Sequence, residues 1–137
     1  TLVKERKLFP DVESILNKFS SSYKLAQISA KTTKTAIHYS EVFEIAKYFD
    51  IIQGSPIHSK TETIHEVLDK FACKPEETVF VGDSIKDIRS GYEAGCKTVL
   101  CLYGYGDKNK ELLGLADYKI ENLAQLPNLI EKIENVS

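Results

Sequence analysis

The sequence predicts an α/β fold built on a parallel sheet, and three observations carry that reading. The apolar run at residues 79–81 is too brief for a helix and is stopped by Gly82, as expected of a strand covered on both faces. Residues 23–28 and 49–52 read as two further strands, closed by Ser29 and by Gly54. Segments with apolar residues at helical spacing lie between them. Strands alternating with helices of this length imply parallel neighbours joined by right-handed crossovers.

Residues 1–9 are charged and weakly patterned. Read as a strand they put Leu2, Lys4, Arg6 and Leu8 on one face, a poor candidate for a central position. Pro10 and Asp11 open a helix whose inward stripe is Val12, Ile15, Leu16 and Phe19. After a serine turn at 20–22 comes the strand at 23–28. A second helix is expected over 33–47, with Ala36, Tyr39, Phe43 and Ala46 inward, and then the strand at 49–52. A third helix over 60–72 carries Ile64, Val67, Leu68 and Phe71 on one stripe. Pro75 ends that unit. The strand at 79–81 follows, then a helix from about Ile85 and a further strand before Tyr105. A short helix at 107–115, an edge strand at 118–120 and a helix at 122–133 complete the reading. No repeat or linker divides the chain, so residues 1–137 are expected to form one domain, with 1–9 set apart from its core.

Composition excludes several function classes. A chain of 137 residues buries roughly two-thirds of its unfolded surface, enough for one core. A net charge of −2 gives no reason to expect nucleic acid or an anionic membrane as partner. No apolar run approaches the roughly 20 residues needed to span a bilayer. Cys73, Cys96 and Cys101 are odd in number and lack metal-ligand spacing. They read as reduced thiols in or near the core of a cytoplasmic protein. His38, His58 and His65 share no spacing and are expected at the surface. Tyr103 and Tyr105 are open to two readings, a border to the ligand crevice or plain packing.

The residues that suggest chemistry gather at the carboxyl ends of the strands, where open α/β sheets bind ligands. Asp83 follows the strand at 79–81, and Asp87 falls one helical turn further on the same face. Two like charges so close repel, and a hard divalent cation removes that cost. A capping acid and a solvated first-turn acid would show the same spacing. Ser29 ends its strand, so its hydroxyl and the backbone N–H groups of Ala30 and Lys31 are expected at the same edge. Lys60 opens a helix there. Alone, each is as well explained by a turn or a solvated side chain. Together, a hydroxyl, an ammonium and two acids suit a phosphoryl group and its metal.

These residues resemble a known family. GDSIKDI at 82–88, followed by EAGCKTVL, is similar to the fourth signature of the haloacid dehalogenase superfamily. AQISAK at 26–31 resembles the second signature, and Lys60, between FDIIQGSP and an amphipathic helix, the third. LFPDVESIL and ADYKIENLAQLPNLI resemble segments flanking the core of phosphoglycolate phosphatase-like members. The resemblance covers nearly all of the chain from Leu8 onward. It implies a three-layer Rossmann-like core with a parallel sheet and a Mg²⁺ ion held by Asp83, with Asp87 assisting. It also implies a phosphoryl group held by Ser29 and Lys60, and a small phosphorylated metabolite as substrate. The acidic pair GD-x-x-x-D suits a Mg²⁺ phosphohydrolase better than a dehalogenase or a sugar-phosphate mutase.

One part of the family pattern has no counterpart. Members carry DxDxT on their first strand, whose leading Asp accepts the phosphoryl group, and no Asp-x-Asp occurs in this sequence. The resemblance therefore implies that the central strand and the cap are absent, that residues 1–9 are a remnant of the cap-to-core connection, and that the chain is a truncated, inactive one. A non-enzymatic phosphate- or protein-binding module, receiver-like or degenerate, is the alternative. A vacant central slot leaves three outcomes. Another chain fills it, by self-association or as the missing segment; the flanking strands close up; or residues 1–9 enter.

Overall fold

The computed structural model of the protein describes residues 3–4, 7–8, 11–55, 60–102 and 114–136. A two-residue hairpin, β1 (Val3–Lys4) with β2 (Lys7–Leu8), precedes helix α1 (Val12–Ser20). Then come β3 (Ala26–Ser29), α2 (Thr33–Val42), β4 (Ile51–Gly54) and α3 (Lys60–Phe71). Next are β5 (Val79–Gly82), α4 (Ile85–Ala94), β6 (Lys97–Cys101), β7 (Tyr118–Ile120) and α5 (Leu126–Val136). None of the described helices is long and apolar enough to cross a membrane.

From β3 to β7 every ladder is parallel. β3 pairs with β4 from Ala26 opposite Ile51 to Ser29 opposite Gly54. β5 pairs with β6 from Val79 opposite Lys97 to Gly82 opposite Leu100, and β6 with β7 from Val99 opposite Tyr118 to Cys101 opposite Ile120. Among the described residues no ladder joins these two sheets, and β1 pairs with β2 alone. Of the three outcomes foreseen for the central slot, two are not seen among the described residues: β3 and β5 share no ladder, and Val3–Lys4 and Lys7–Leu8 pair only with each other. The hairpin's mixed charged and apolar sequence explains the second.

Period-two alternation distributes the strands' side chains between two cores. Val79 and Val81 of β5, with Leu25 just before β3, pack against Val12, Ile15 and Phe19 of α1, Val99 and Cys101 of β6, and Leu126 of α5. Phe80 and Ile28 point the other way, onto Ile64 and Leu68 of α3, Ala94 of α4 and Cys96. Both faces are therefore covered by helices, as a parallel sheet requires. Leu25, just before β3, joins the first cluster and Ile28 of β3 joins the second, so both clusters bring that part of the chain together with β5.

Most elements stand where the sequence puts them, with shifts that have local causes. The second helix stops at Val42 rather than Lys47. Glu44 takes φ 60°, a left-handed turn, and residues 46–48 form a separate 3₁₀ turn. Its inward face also differs, since Ala36 and Ser40 are buried while Tyr39 is 39% exposed. Ser40 is drawn in by hydrogen bonds from its hydroxyl to Gln27 Oε1 (2.7 Å) and to the Ala36 carbonyl (2.9 Å). The strand expected from Tyr23 begins at Ala26, and Tyr23 is 40% exposed, packed edge-on against Phe19. Cys96 and Cys101 are buried, Cys73 is half-buried, and none of the three is in a disulfide. The helix expected at 107–115 falls almost wholly outside the described residues.

Candidate functional site

The carboxyl edge of the β3–β4 pair is fastened by its own loop residues. The Ser29 carbonyl accepts the Ser55 N–H (2.7 Å) and the Ser55 hydroxyl (2.9 Å), and Ser55 is itself buried. The Ser29 hydroxyl oxygen accepts the Lys31 N–H at 3.1 Å. Thr32 caps α2 by accepting the Thr35 N–H, and the next residue, Thr33, accepts the Gly54 N–H at 2.9 Å. Gly54 must be glycine for want of space, since a Cβ there would stand 2.1 Å from the Lys31 carbonyl oxygen. The β3–α2 turn and the end of β4 thus form one rigid corner.

A second corner is built at the end of β5. Asp83 is half-buried just after Gly82. Ser84 then caps α4, its hydroxyl oxygen accepting the Asp87 N–H at 3.3 Å. That cap sets Asp87 in the first helical turn and folds its side chain back over the strand end. A Cβ on Gly82 would lie 2.4 Å from Asp87 Cβ and 3.2 Å from Oδ2. The carboxylate occupies that place only because residue 82 has no side chain. Lys60, the first residue of α3, donates from Nζ to Asp87 Oδ1 at 2.6 Å. Both side chains are largely shielded, 23% and 15% exposed, so this charge-assisted bond is not a solvated surface pair.

The structure therefore brings Lys60 and Asp87 into direct contact across 27 positions of sequence. Ser29, Ala30 and Lys31 stand at the carboxyl end of β3, and Asp83 stands at the carboxyl end of β5. The Lys31 side chain turns outward, its ammonium 5.4 Å from the centre of the Tyr39 ring, so what it presents to the edge is backbone. Sequence reasoning missed Ser55 and Ser84. Ser84 had a signal, the S-x-x-D pattern of a capping box. Ser55 had only its place directly after the strand-ending Gly54. His38 and His65 are exposed as expected, while His58, Tyr103 and Tyr105 lie outside the described residues.

Chemically, the Lys60 ammonium and the Asp87 carboxylate put charge of both signs side by side, and Asp83 lies four residues before Asp87 at the end of β5. Among the described residues no three His, Cys, Asp or Glu side chains converge. A cation held here by Asp83 and Asp87 would fill its shell with water and ligand oxygens, the ordinary habit of Mg²⁺.

This frame is shared with known proteins. The family model described as haloacid dehalogenase-like hydrolase matches residues 1–101. A phosphoglycolate phosphatase of Aquifex aeolicus is 27% identical over 130 residues, covering 91% of this chain and 60% of that protein. One from Salmonella choleraesuis is 35% identical over 103 residues, covering 72% and 41%. Among solved structures, a haloacid dehalogenase-like family hydrolase from Streptococcus pneumoniae superposes with a TM-score of 0.82 at 29% identity. It covers 90% of this chain and 60% of that one. A predicted phosphoglycolate phosphatase from Haemophilus somnus gives 0.80 at 26%, covering 90% and 57%. The chain spans about half the length of the curated relatives it matches.

Proposed function

The chain belongs to the haloacid dehalogenase-like hydrolase family, and on that footing we propose that it forms the phosphoryl-holding part of a Mg²⁺-dependent phosphomonoesterase. The substrate is a small phosphorylated metabolite of the kind handled by phosphoglycolate phosphatases, and the compartment is the cytoplasm. The observation that carries the reading is the shielded Lys60–Asp87 contact at the carboxyl edge. It puts a cation for phosphate oxygens beside a carboxylate for a metal, on two helices that start at that edge.

Each residue then has a defined task. The Lys60 ammonium holds a phosphoryl oxygen by charge and hydrogen bond; one such pair at about 4 Å is worth on the order of 4 kcal/mol at an effective dielectric near 20. Ser29 accepts from Lys31 N–H, which leaves its hydroxyl proton available to a second phosphoryl oxygen. The Ala30 and Lys31 backbone frames the turn around that oxygen. Asp83 and Asp87 hold the Mg²⁺ ion, which when bound neutralises charge on the phosphoryl oxygens. What the sequence lacks is an Asp-x-Asp to accept the phosphoryl group. Removing the nucleophile of a well-studied hydrolase costs on the order of 10⁶ in turnover. The 137-residue chain is therefore a binding site without turnover.

Titration calorimetry with inorganic phosphate and Mg²⁺, beside a generic phosphomonoesterase assay, tests this. Lys60→Gln should weaken phosphate binding by about tenfold or more, the loss of roughly 1.4 kcal/mol. Asp83→Asn should weaken Mg²⁺ binding, and hydrolysis should stay at background throughout. Unchanged phosphate affinity in Lys60→Gln would remove the site. Mg²⁺-dependent hydrolysis lost in Asp83→Asn would instead show that the chain is active.

A further inference from the structure

The corner that closes β3 against β4 contains a buried hydroxyl that the fold alone does not require. Ser55, directly after β4, is 7% exposed. Its N–H donates to the Ser29 carbonyl at 2.7 Å and continues the parallel ladder one step past Gly54. Its hydroxyl donates to the same carbonyl at 2.9 Å, the one bond that hydroxyl makes among the described residues. A carbonyl offers two lone pairs, but a single donor already satisfies it. Alanine would fill the same buried place with no hydroxyl to desolvate. The second bond therefore adds direction rather than satisfaction.

That direction reaches the next residue. The peptide group is planar and trans, so the Ser29 C=O and the Ala30 N–H lie in one plane and point opposite ways. With the carbonyl held towards Ser55, the Ala30 N–H is turned away from β4. Ala30 is exposed, and no described residue accepts its N–H. The neighbouring amide is already engaged, the Lys31 N–H donating to the Ser29 hydroxyl oxygen at 3.1 Å. Two donors on one carbonyl also polarise the peptide group behind it, which strengthens the Ala30 N–H as a donor. The turn is held from its other side as well. The Lys31 carbonyl lies close against Gly54, whose N–H donates to Thr33 Oγ1 at 2.9 Å. We propose that Ser55 is a positioning residue for phosphoryl binding. Its hydroxyl locks the Ser29–Ala30 peptide so that the Ala30 N–H donates to the phosphoryl oxygen that the Ser29 hydroxyl also meets. The role rests on the phosphoryl-holding reading of Ser29 given above, and Ser55 acts only through that peptide.

The test is a titration of the isotope-labelled 137-residue chain with inorganic phosphate, read by amide NMR and calorimetry. In the native chain phosphate should move the Ala30 amide proton downfield. Ser55→Ala keeps the N–H of residue 55 on the Ser29 carbonyl, so the fold should stand. It should bind phosphate about threefold to tenfold more weakly, with a smaller Ala30 shift and unchanged affinity for Mg²⁺ alone. The control is Ile52→Ala, which loosens β4 without touching the corner and should leave phosphate affinity within about twofold. Native affinity in Ser55→Ala, or an Ala30 amide that phosphate does not move, would overturn the role of Ser55. So would an equal loss in Ile52→Ala or a parallel fall in Mg²⁺ affinity, either of which means general loosening. Failure of the underlying reading looks different. The native chain then binds no phosphate, or binds it equally well after Lys60→Gln, and Ser55 has nothing to position. If Lys60→Gln weakens phosphate binding and Ser55→Ala does not, that reading stands and Ser55 alone loses its role.

Discussion

The two sheets of this molecule follow one plan with unequal success. In the β5–β6–β7 sheet the middle strand has a partner on each side, and from Thr98 to Cys101 it is buried, with Val99 wholly so. In the β3–β4 pair no strand is central, and every position of both strands is only half-buried. The apolar content of the two is alike: Ile28, Ile51 and Ile52 are as hydrophobic as Val99, Leu100 and Ile120. What differs is the number of neighbours, so burial here follows from topology and not from residue type. An isoleucine contributes in proportion to the water it leaves behind.

Matched truncations break that comparison most sharply. Ile120→Ala in β7 removes a side chain that is 5% exposed within the larger core, and should cost about 2–5 kcal/mol. Ile52→Ala in β4 removes the same atoms from a half-buried strand and should cost less than about 2 kcal/mol. Urea denaturation with a shared slope reads both values. Equal costs would mean that the β3–β4 pair is packed as fully as the other sheet, and the contrast would disappear.

The same contrast explains what could be read in advance. Apolar residues at helical spacing marked α1 and α3, because a helix face packed on a core must repeat apolar residues at its own pitch. The same spacing misled in α2, where Tyr39 stands on the apolar stripe yet lies outward against His38 and the Lys31 ammonium. The serine drawn inward in its place is recognisable only once Gln27 is known to reach it. At the site, Lys60 and Asp87 were each legible as residues at an element's start, but their contact was not. It depends on α3 and α4 packing side by side, and no local pattern encodes that pairing. The interrupted ladder was expected from the family resemblance and not from the residues, since an unfilled strand position leaves no mark in the sequence that flanks it.

Both corners end in a glycine that a neighbour crowds, and substitution there separates two kinds of crowding. At Gly54 the obstacle is backbone: the Lys31 carbonyl, with Thr32 and Thr33 behind it. At Gly82 it is the Asp87 side chain. Neither glycine has positive φ, so the penalty in each case is steric. Gly54→Ala should destabilise by about 1–3 kcal/mol or slightly more, because backbone cannot step aside without moving the turn. Gly82→Ala should lie at the lower end of that range, since Asp87 can rotate away, and on the proposed function its signature is weakened Mg²⁺ binding more than lost stability. Thermal melts and calorimetry on the two variants separate these effects, and a larger stability loss at Gly82 would reverse the assignment.

The smallest effect concerns the thiols, one of which reports on each environment. Burial pushes the Cys96 thiol up from 9.0 to about 11, because the thiolate would lose its hydration among Ile64, Leu68 and Ala94. The neutral form is the one the fold favours, so this contribution to stability is complete below pH 9 and fades as pH rises from 9 towards 11. Cys73, in the turn after α3, is half-buried and donates weakly to the Phe71 carbonyl at 3.6 Å. Under native conditions at pH 8, an aromatic disulfide reagent should therefore label Cys73 first, with Cys96 and Cys101 following only at the rate of opening. If Cys96 reacted as fast as Cys73, the α3–α4 face would have to open on its own.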